Sequence, residues 1–184
     1  MTALCLQRGE KPKRFLLKWE FSKLPLVTLT DEQMDRCHVD AQRRLQAATS
    51  NEQLFVSGRN RYDIDLIGCM GELAVSLYMG REWIGEGQDG NCGDVDGLEV
   101  RTSFYKDEPD PKYRLIIRPK DKDGTYVLCI AKDNQVVIAG WAGAFRVRTC
   151  GKPIYEEGTY GLERSRLFKM ELLEEVLEFA SRPS

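Results

Sequence analysis

Residues 90–105, GNCGDVDGLEVRTSFY, bring Asp94, Asp96, Glu99 and Arg101 into one turn and one strand. Side chains alternate along a strand, so Glu99, Arg101 and Ser103 share one face while Val100 and Thr102 point the other way. Gly90, Gly93 and Gly97, with Asn91 and the aspartates, make the preceding turn tight and polar. An acid at the turn, another on the strand and a cation two residues further on can converge on one point. Hard cations such as Mg²⁺ are held that way, by one or two carboxylates completed by water and phosphate oxygens. The same residues admit a plainer account. Asp94 and Asp96 are then turn residues, and Glu99 and Arg101 pair with neighbours on an exposed strand face.

Any further acid must come from a helix. Residues 65–78, DLIGCMGELAVSLY, repeat apolar side chains at three- and four-residue intervals (Leu66, Ile67, Met70, Leu73, Ala74, Leu77, Tyr78), too densely for a surface helix. Gly68 and Gly71 weaken it by about 1 kcal/mol each relative to alanine, which argues for close packing against a sheet or another helix. Glu72 is the acid inside this apolar run. An unpaired buried carboxylate is costly, so Glu72 needs a basic side chain, backbone amides or a metal. Gly80 ends the helix.

Upstream, residues 15–29 read as short apolar strands or an extended arm, with Pro25 breaking any helix. Thr30 is the expected N-cap of a helix over 31–48, with Asp31 and Glu32 in its first turn and Gln33 at the capping-box position. Met34, Val39, Leu45 and Ala48 are expected on its inner side, and Asp35, Arg36, Gln42, Arg43 and Arg44 opposite. His38 reads as structural. The polar segment 51–65 holds Arg59 and Arg61, either in a surface loop or in a loop that contacts phosphate at the mouth of a site.

Downstream, a short strand is expected at 82–84, then strands at 113–118, 125–131 and 135–142, the last two joined by a tight turn through Lys132, Asp133 and Asn134. Residues 145–160 read as irregular; Arg146, Arg148 and Lys152 there are surface charge or phosphate contacts. Residues 167–180 form an amphipathic helix with Leu167, Met170, Leu173, Val176 and Leu177 on one stripe. This order predicts an α+β fold, a mixed, mainly antiparallel central sheet flanked by helices.

Composition sets the bounds. A chain of 184 residues, 42% hydrophobic, supports one globular domain with its own core. Its 27 basic and 29 acidic residues do not announce a nucleic-acid binder, although a basic face beside an acidic site averages to the same total. Six dispersed cysteines without a Cys-x-x-Cys pair, and one histidine, argue against zinc and for free thiols in a cytoplasmic protein. No signal peptide or membrane-spanning segment is read in the sequence.

Taken in order, the helix with Glu72, the turn with Asp94 and the strand with Glu99 and Arg101 resemble the PD-(D/E)XK nuclease superfamily, especially its small bacteriophage and prophage proteins. The likeness spans about 64–142, from Gly71-Glu72 through Gly93-Asp94-Val95 and Glu99-Val100-Arg101-Thr102 to Gly140-Trp141. It implies a restriction-endonuclease-like core at about 59–142, with additions at 1–58 and 143–184 in a single domain. Asp94 and Glu99 would then be metal ligands, with the carbonyl of Val100 and with Glu72 as a direct or water-mediated ligand. The cation would be Mg²⁺, or Mn²⁺ in its place. The activity implied is hydrolysis of phosphodiester bonds in nucleic acid, DNA first. Asp96 could replace Asp94.

Arg101 stands in the superfamily's lysine position, where it supplies charge but cannot accept a proton; Lys106 or Lys120 would have to reach in. The alternative implied is a catalytically impaired accessory protein of the same fold, binding nucleic acid or a host protein in the bacterial cytoplasm. A homodimer is the other partner expected. The metal site requires Glu72, Asp94 or Asp96, and Glu99 within a few Å of one cation. A Glu72 closed in a salt bridge and turned away from Glu99 would not meet that requirement.

Overall fold

Two local signals start the helices that carry the charged centre of the protein. A computed structural model describes residue 21 and residues 23–47, 55–56, 59–85, 94–106 and 112–180. Strand β1 (Leu26–Thr28) leads into helix α1 (Asp31–Ala47). The expected capping box closes it: Gln33 N donates to Thr30 Oγ1 at 3.2 Å and Thr30 N donates to Gln33 Oε1 at 2.9 Å. After the short pair β2 (Phe55–Val56) and β3 (Arg59–Asn60), helix α2 (Arg61–Met79) begins at Asn60, whose side chain accepts from Tyr62 N. It ends at Gly80, in the left-handed conformation.

Strands β4 (Leu98–Phe104), β5 (Arg114–Ile117), β6 (Thr125–Lys132) and β7 (Gln135–Gly143) follow. Next come helix α3 (Ala144–Cys150), strands β8 (Lys152–Pro153) and β9 (Tyr160–Glu163), and helix α4 (Met170–Ala180). The fold is α+β. Its main sheet runs β1-β7-β6-β4, with β4 parallel to β6 and the other neighbours antiparallel. A second sheet runs β5-β9-β8.

Strand β6 is buried on both faces, so the main sheet separates two cores. Val127, Cys129 and Ala131 face a core shared with Cys37, Ala41, Leu73, Met170 and Leu173 of the three longer helices. Tyr126, Leu128 and Ile130 face the other core, with Leu115, Ile117, Val147 and Leu162. Elements on both sides of 59–142 therefore complete these cores.

Three expectations need correction. Helix α1 buries Cys37, Asp40 and Ala41, while Val39 is 59% exposed; the helix is turned so that Arg44, expected on the solvent side, reaches α2. Residues 81–85 are not a strand, because helix side chains take three of their carbonyls: Ser76 of α2 donates to Arg81 O, and from α1 Arg36 donates to Trp83 O and Arg44 to Gly85 O, each of the last two at 3.2 Å. The segment expected to be irregular contains α3, whose Ala144 and Val147 lie three apart and fill the second core. It also contributes β8, and β9 pairs with β5 and draws that strand out of the main sheet.

Candidate functional site

The site is built on a hairpin turn. Asp96 and Gly97 have φ of 48° and 82°, and Leu98 N donates to Val95 O at 2.9 Å, the geometry of a two-residue Asp-Gly hairpin. That reversal lays Asp94 along β4, where its Oδ2 accepts from Val100 N at 2.7 Å. Strand β4 is the edge of the main sheet. In an extended strand the N–H and C=O of one residue lie to the same side, so the Val100 carbonyl lies along this edge with Asp94.

Glu99 and Arg101 point away from α2, on the second-core face. Arg101 Nη2 lies 3.2 Å from Asp121 Oδ1 and 3.9 Å from Glu99 Oε2, and its guanidinium sits over the Tyr126 ring at 5.2 Å. Burial, and then the charge of Asp94, push the Glu99 carboxyl above its usual range, while Arg101 and Lys122 pull it down. Asp94→Asn keeps an acceptor for Val100 N and deletes that charge. Site-resolved carbon NMR should then find Glu99 titrating at lower pH. A carboxyl raised on folding adds stability below its unfolded pKa that is lost as pH rises through the folded value. The variant's stability should accordingly fall less steeply as the pH rises through the carboxylate range. An unmoved Glu99 titration would separate the two acids.

Glu72 lies on the other face. Helix α2 packs on the Leu98, Val100 and Thr102 side of β4, with Gly71 against Thr102. Arg44 Nη1 donates to Glu72 Oε1 at 2.8 Å and Nη2 to Oε2 at 2.6 Å; Trp83 Nε1 adds a bond to Oε2 at 3.2 Å. Burial pushes the Glu72 carboxyl up, Arg44 pulls it down, and Asp94 pushes it up again. Thus Asp94 bears on both acids, but Glu72 is closed in an ion pair across the sheet from Glu99. The arrangement expected of three acids around one cation is not what is found. Among the described residues no three His, Cys, Asp or Glu side chains are grouped to hold a metal ion.

The remaining candidates lie apart. Asp96, at the hairpin tip, pairs with Arg81 at 3.2 Å. Lys106 donates its amide to Tyr113 Oη, and Lys120 is exposed in the turn before β6. Arg61 pairs with Asp65 at 2.9 Å within α2, and the side chain of Arg59 lies outside the described residues. Arg146 stacks over Phe168, Arg148 binds Asp123 and the carbonyl of Asp121, and Lys152 pairs with Glu163. These three cations have separate local partners.

The sequence reading overlooked Arg44, Trp83, Asp121 and Lys122. Helical spacing carried a signal for the first, since Cys37, Ala41 and Arg44 recur every three to four residues. The second lies among charged residues, and the last two sit in a turn where such side chains are ordinary.

In comparisons with known proteins, no family model, curated protein or solved structure matches the chain. Among the described residues no helix is long and apolar enough to cross a membrane.

Proposed function

We propose that this chain is a nuclease-like protein directed at phosphodiester bonds of nucleic acid, DNA first, through a two-acid site at the β4 edge. The observation that carries the reading is the hairpin that fixes Asp94 on the Val100 amide within electrostatic reach of Glu99. Two carboxylates and the Val100 carbonyl are hard oxygen donors, the set that suits Mg²⁺ or Mn²⁺ with water and phosphate completing the shell. A cation bound there supplies polarisation of the scissile phosphate and acidifies water.

The chain's own residues do the rest. The Val100 amide orients Asp94. Arg101, always protonated and braced by Asp121 and Tyr126, balances the charge of the acids but takes no proton. Glu72 has no ligand role in this version; its ion pair with Arg44 holds α1 to α2 behind the strand. The resemblance to PD-(D/E)XK nucleases supports the reading through the order of its motifs. The four described free cysteines fit a reducing compartment, the cytoplasm of a bacterial host if the gene is a phage's.

A second reading, a nuclease-like fold that binds nucleic acid or a host protein without cutting, is favoured by the closure of Glu72 away from Glu99. One experiment separates the two. Mg²⁺ and Mn²⁺ are titrated into wild type, Asp94→Ala and Glu99→Ala during thermal unfolding, followed by plasmid and branched DNA in the same tubes. At tenfold excess over Kd, a native-state cation contributes about 1.4 kcal/mol, or roughly 3–5 °C at this chain length. The two-acid site predicts that rise, and cleavage, in wild type alone. DNA binding that survives Glu99→Ala without cleavage would select the second reading.

A further inference from the structure

The cation best placed to meet a phosphate at this edge is not the one the motif order points to. Arg101 is occupied: Asp121, Glu99 and the ring of Tyr126 hold it. Strands β4 and β6 run parallel with Leu98 opposite Thr125 and Glu99 opposite Tyr126. The turn entering β6 therefore lies at the same end of the sheet as the acids.

That turn is anchored at several points. The Asp121 side chain is only 7% exposed, with Oδ1 on Arg101 and Oδ2 accepting from Arg118 N at 2.8 Å. Arg148 donates to Asp121 O and pairs with Asp123. Tyr126 Oη donates to Lys122 O at 2.9 Å. Lys122 is thus pinned through its own carbonyl and both neighbours, while its side chain is exposed.

Resting on the nucleic-acid reading above, we infer that Lys122 contacts the substrate phosphate at the Asp94–Glu99 edge, and that Asp121 and Arg101 form the brace that positions it. A lysine on a flexible stem meets a phosphate as a point charge, whereas the Nη2 of Arg101 is already turned to Asp121 and Glu99. Lys120, two residues earlier on the same turn, has no comparable anchoring contact through its own carbonyl in the described structure.

The test is fluorescence anisotropy of a short labelled DNA duplex in EDTA over a series of KCl concentrations. It compares wild type with Lys122→Ala, Lys122→Arg and Lys23→Ala; Lys23 precedes β1 at the opposite edge of the sheet. Circular dichroism checks that each variant is folded. The inference expects Lys122→Ala to bind several-fold more weakly at low salt. The slope of log affinity against log salt should shrink by about 0.9, one phosphate contact, and Lys122→Arg should restore it. Lys122→Ala matching Lys23→Ala in affinity and slope overturns the inference and leaves the nucleic-acid reading standing. No binding by wild type at any salt, in EDTA or with Ca²⁺ in its place, overturns that reading, and this inference with it.

Discussion

Arg44→Ala is expected to destabilise the protein by about 3–5 kcal/mol in urea unfolding, the largest effect of any single change considered. The reason is the asymmetry of buried ion pairs: forming one gains little over an apolar pair, whereas removing one partner strands the other charge. Glu72 has a side chain 7% exposed and takes both terminal nitrogens of Arg44, whose own side chain is 26% exposed. Loss of the guanidinium leaves the Trp83 indole as the remaining described donor to Glu72, and strips Gly85 O of its bond as well.

The defect should depend on pH. Burial already raises the Glu72 carboxyl, and without Arg44 the largest opposing influence disappears. In the variant, Glu72 then takes up a proton at higher pH when folded than when unfolded. Such a group adds stability below its unfolded pKa that is lost as pH rises through the folded value, so the gap to wild type should narrow in acid. The double variant Arg44→Met with Glu72→Leu should recover most of the loss, since apolar replacement of both partners is often neutral or stabilising. A loss below about 1 kcal/mol for Arg44→Ala would mean that the pair is open to solvent.

Gly71→Ala should cost about 1–2 kcal/mol although alanine is the better helix former by about 1 kcal/mol. A methyl group at Gly71 would stand 1.9 Å from Thr102 Oγ1, 3.1 Å from its Cβ and 3.3 Å from its Cγ2. Rotating Thr102 moves Oγ1 and Cγ2 together and leaves the Cβ contact in place, so α2 must lift from β4, and overpacking of that kind costs about 1–3 kcal/mol. Thr102→Ala in the same chain removes Oγ1 and Cγ2 and should return part of the loss. Its hydroxyl has no hydrogen-bond partner among the described residues, so Thr102→Ala alone should be nearly neutral. Calorimetry that finds Gly71→Ala more stable than wild type would show that helix propensity outweighs the contact.

Much of the local structure is legible in the chain because its causes are local. Thr30 and Gln33 cap α1 across three residues, Gly80 stops α2, and the turn at Asp133-Asn134 joins β6 to β7. The apolar periodicity of α2 correctly marks it as buried, and Glu72 within it as a carboxylate in need of a partner. The Asp-Gly pair at 96–97 makes a tight turn because its backbone conformation is set within two residues. The α+β class follows from the order of those elements.

The choice among partners was not legible, since it is made between segments far apart in the chain. Twenty-eight positions separate Arg44 from Glu72, and only the crossing of α1 over α2 selects that arginine from the three along α1. That choice also rotates α1, exposing Val39 and burying Asp40 against the hydrophobic pattern. Likewise, strand alternation puts Glu99 and Arg101 on one face, but which face α2 covers is a matter of packing. The sheet's two-sided core sends Leu98 and Val100 toward the helix and leaves the acids of the motif on opposite sides. Short-range backbone chemistry determined where α1 starts, where α2 stops and where the turns at 96–97 and 133–134 fall. The desolvation of Glu72 and the close contact of Gly71 with Thr102, both products of tertiary packing, decided which charges meet.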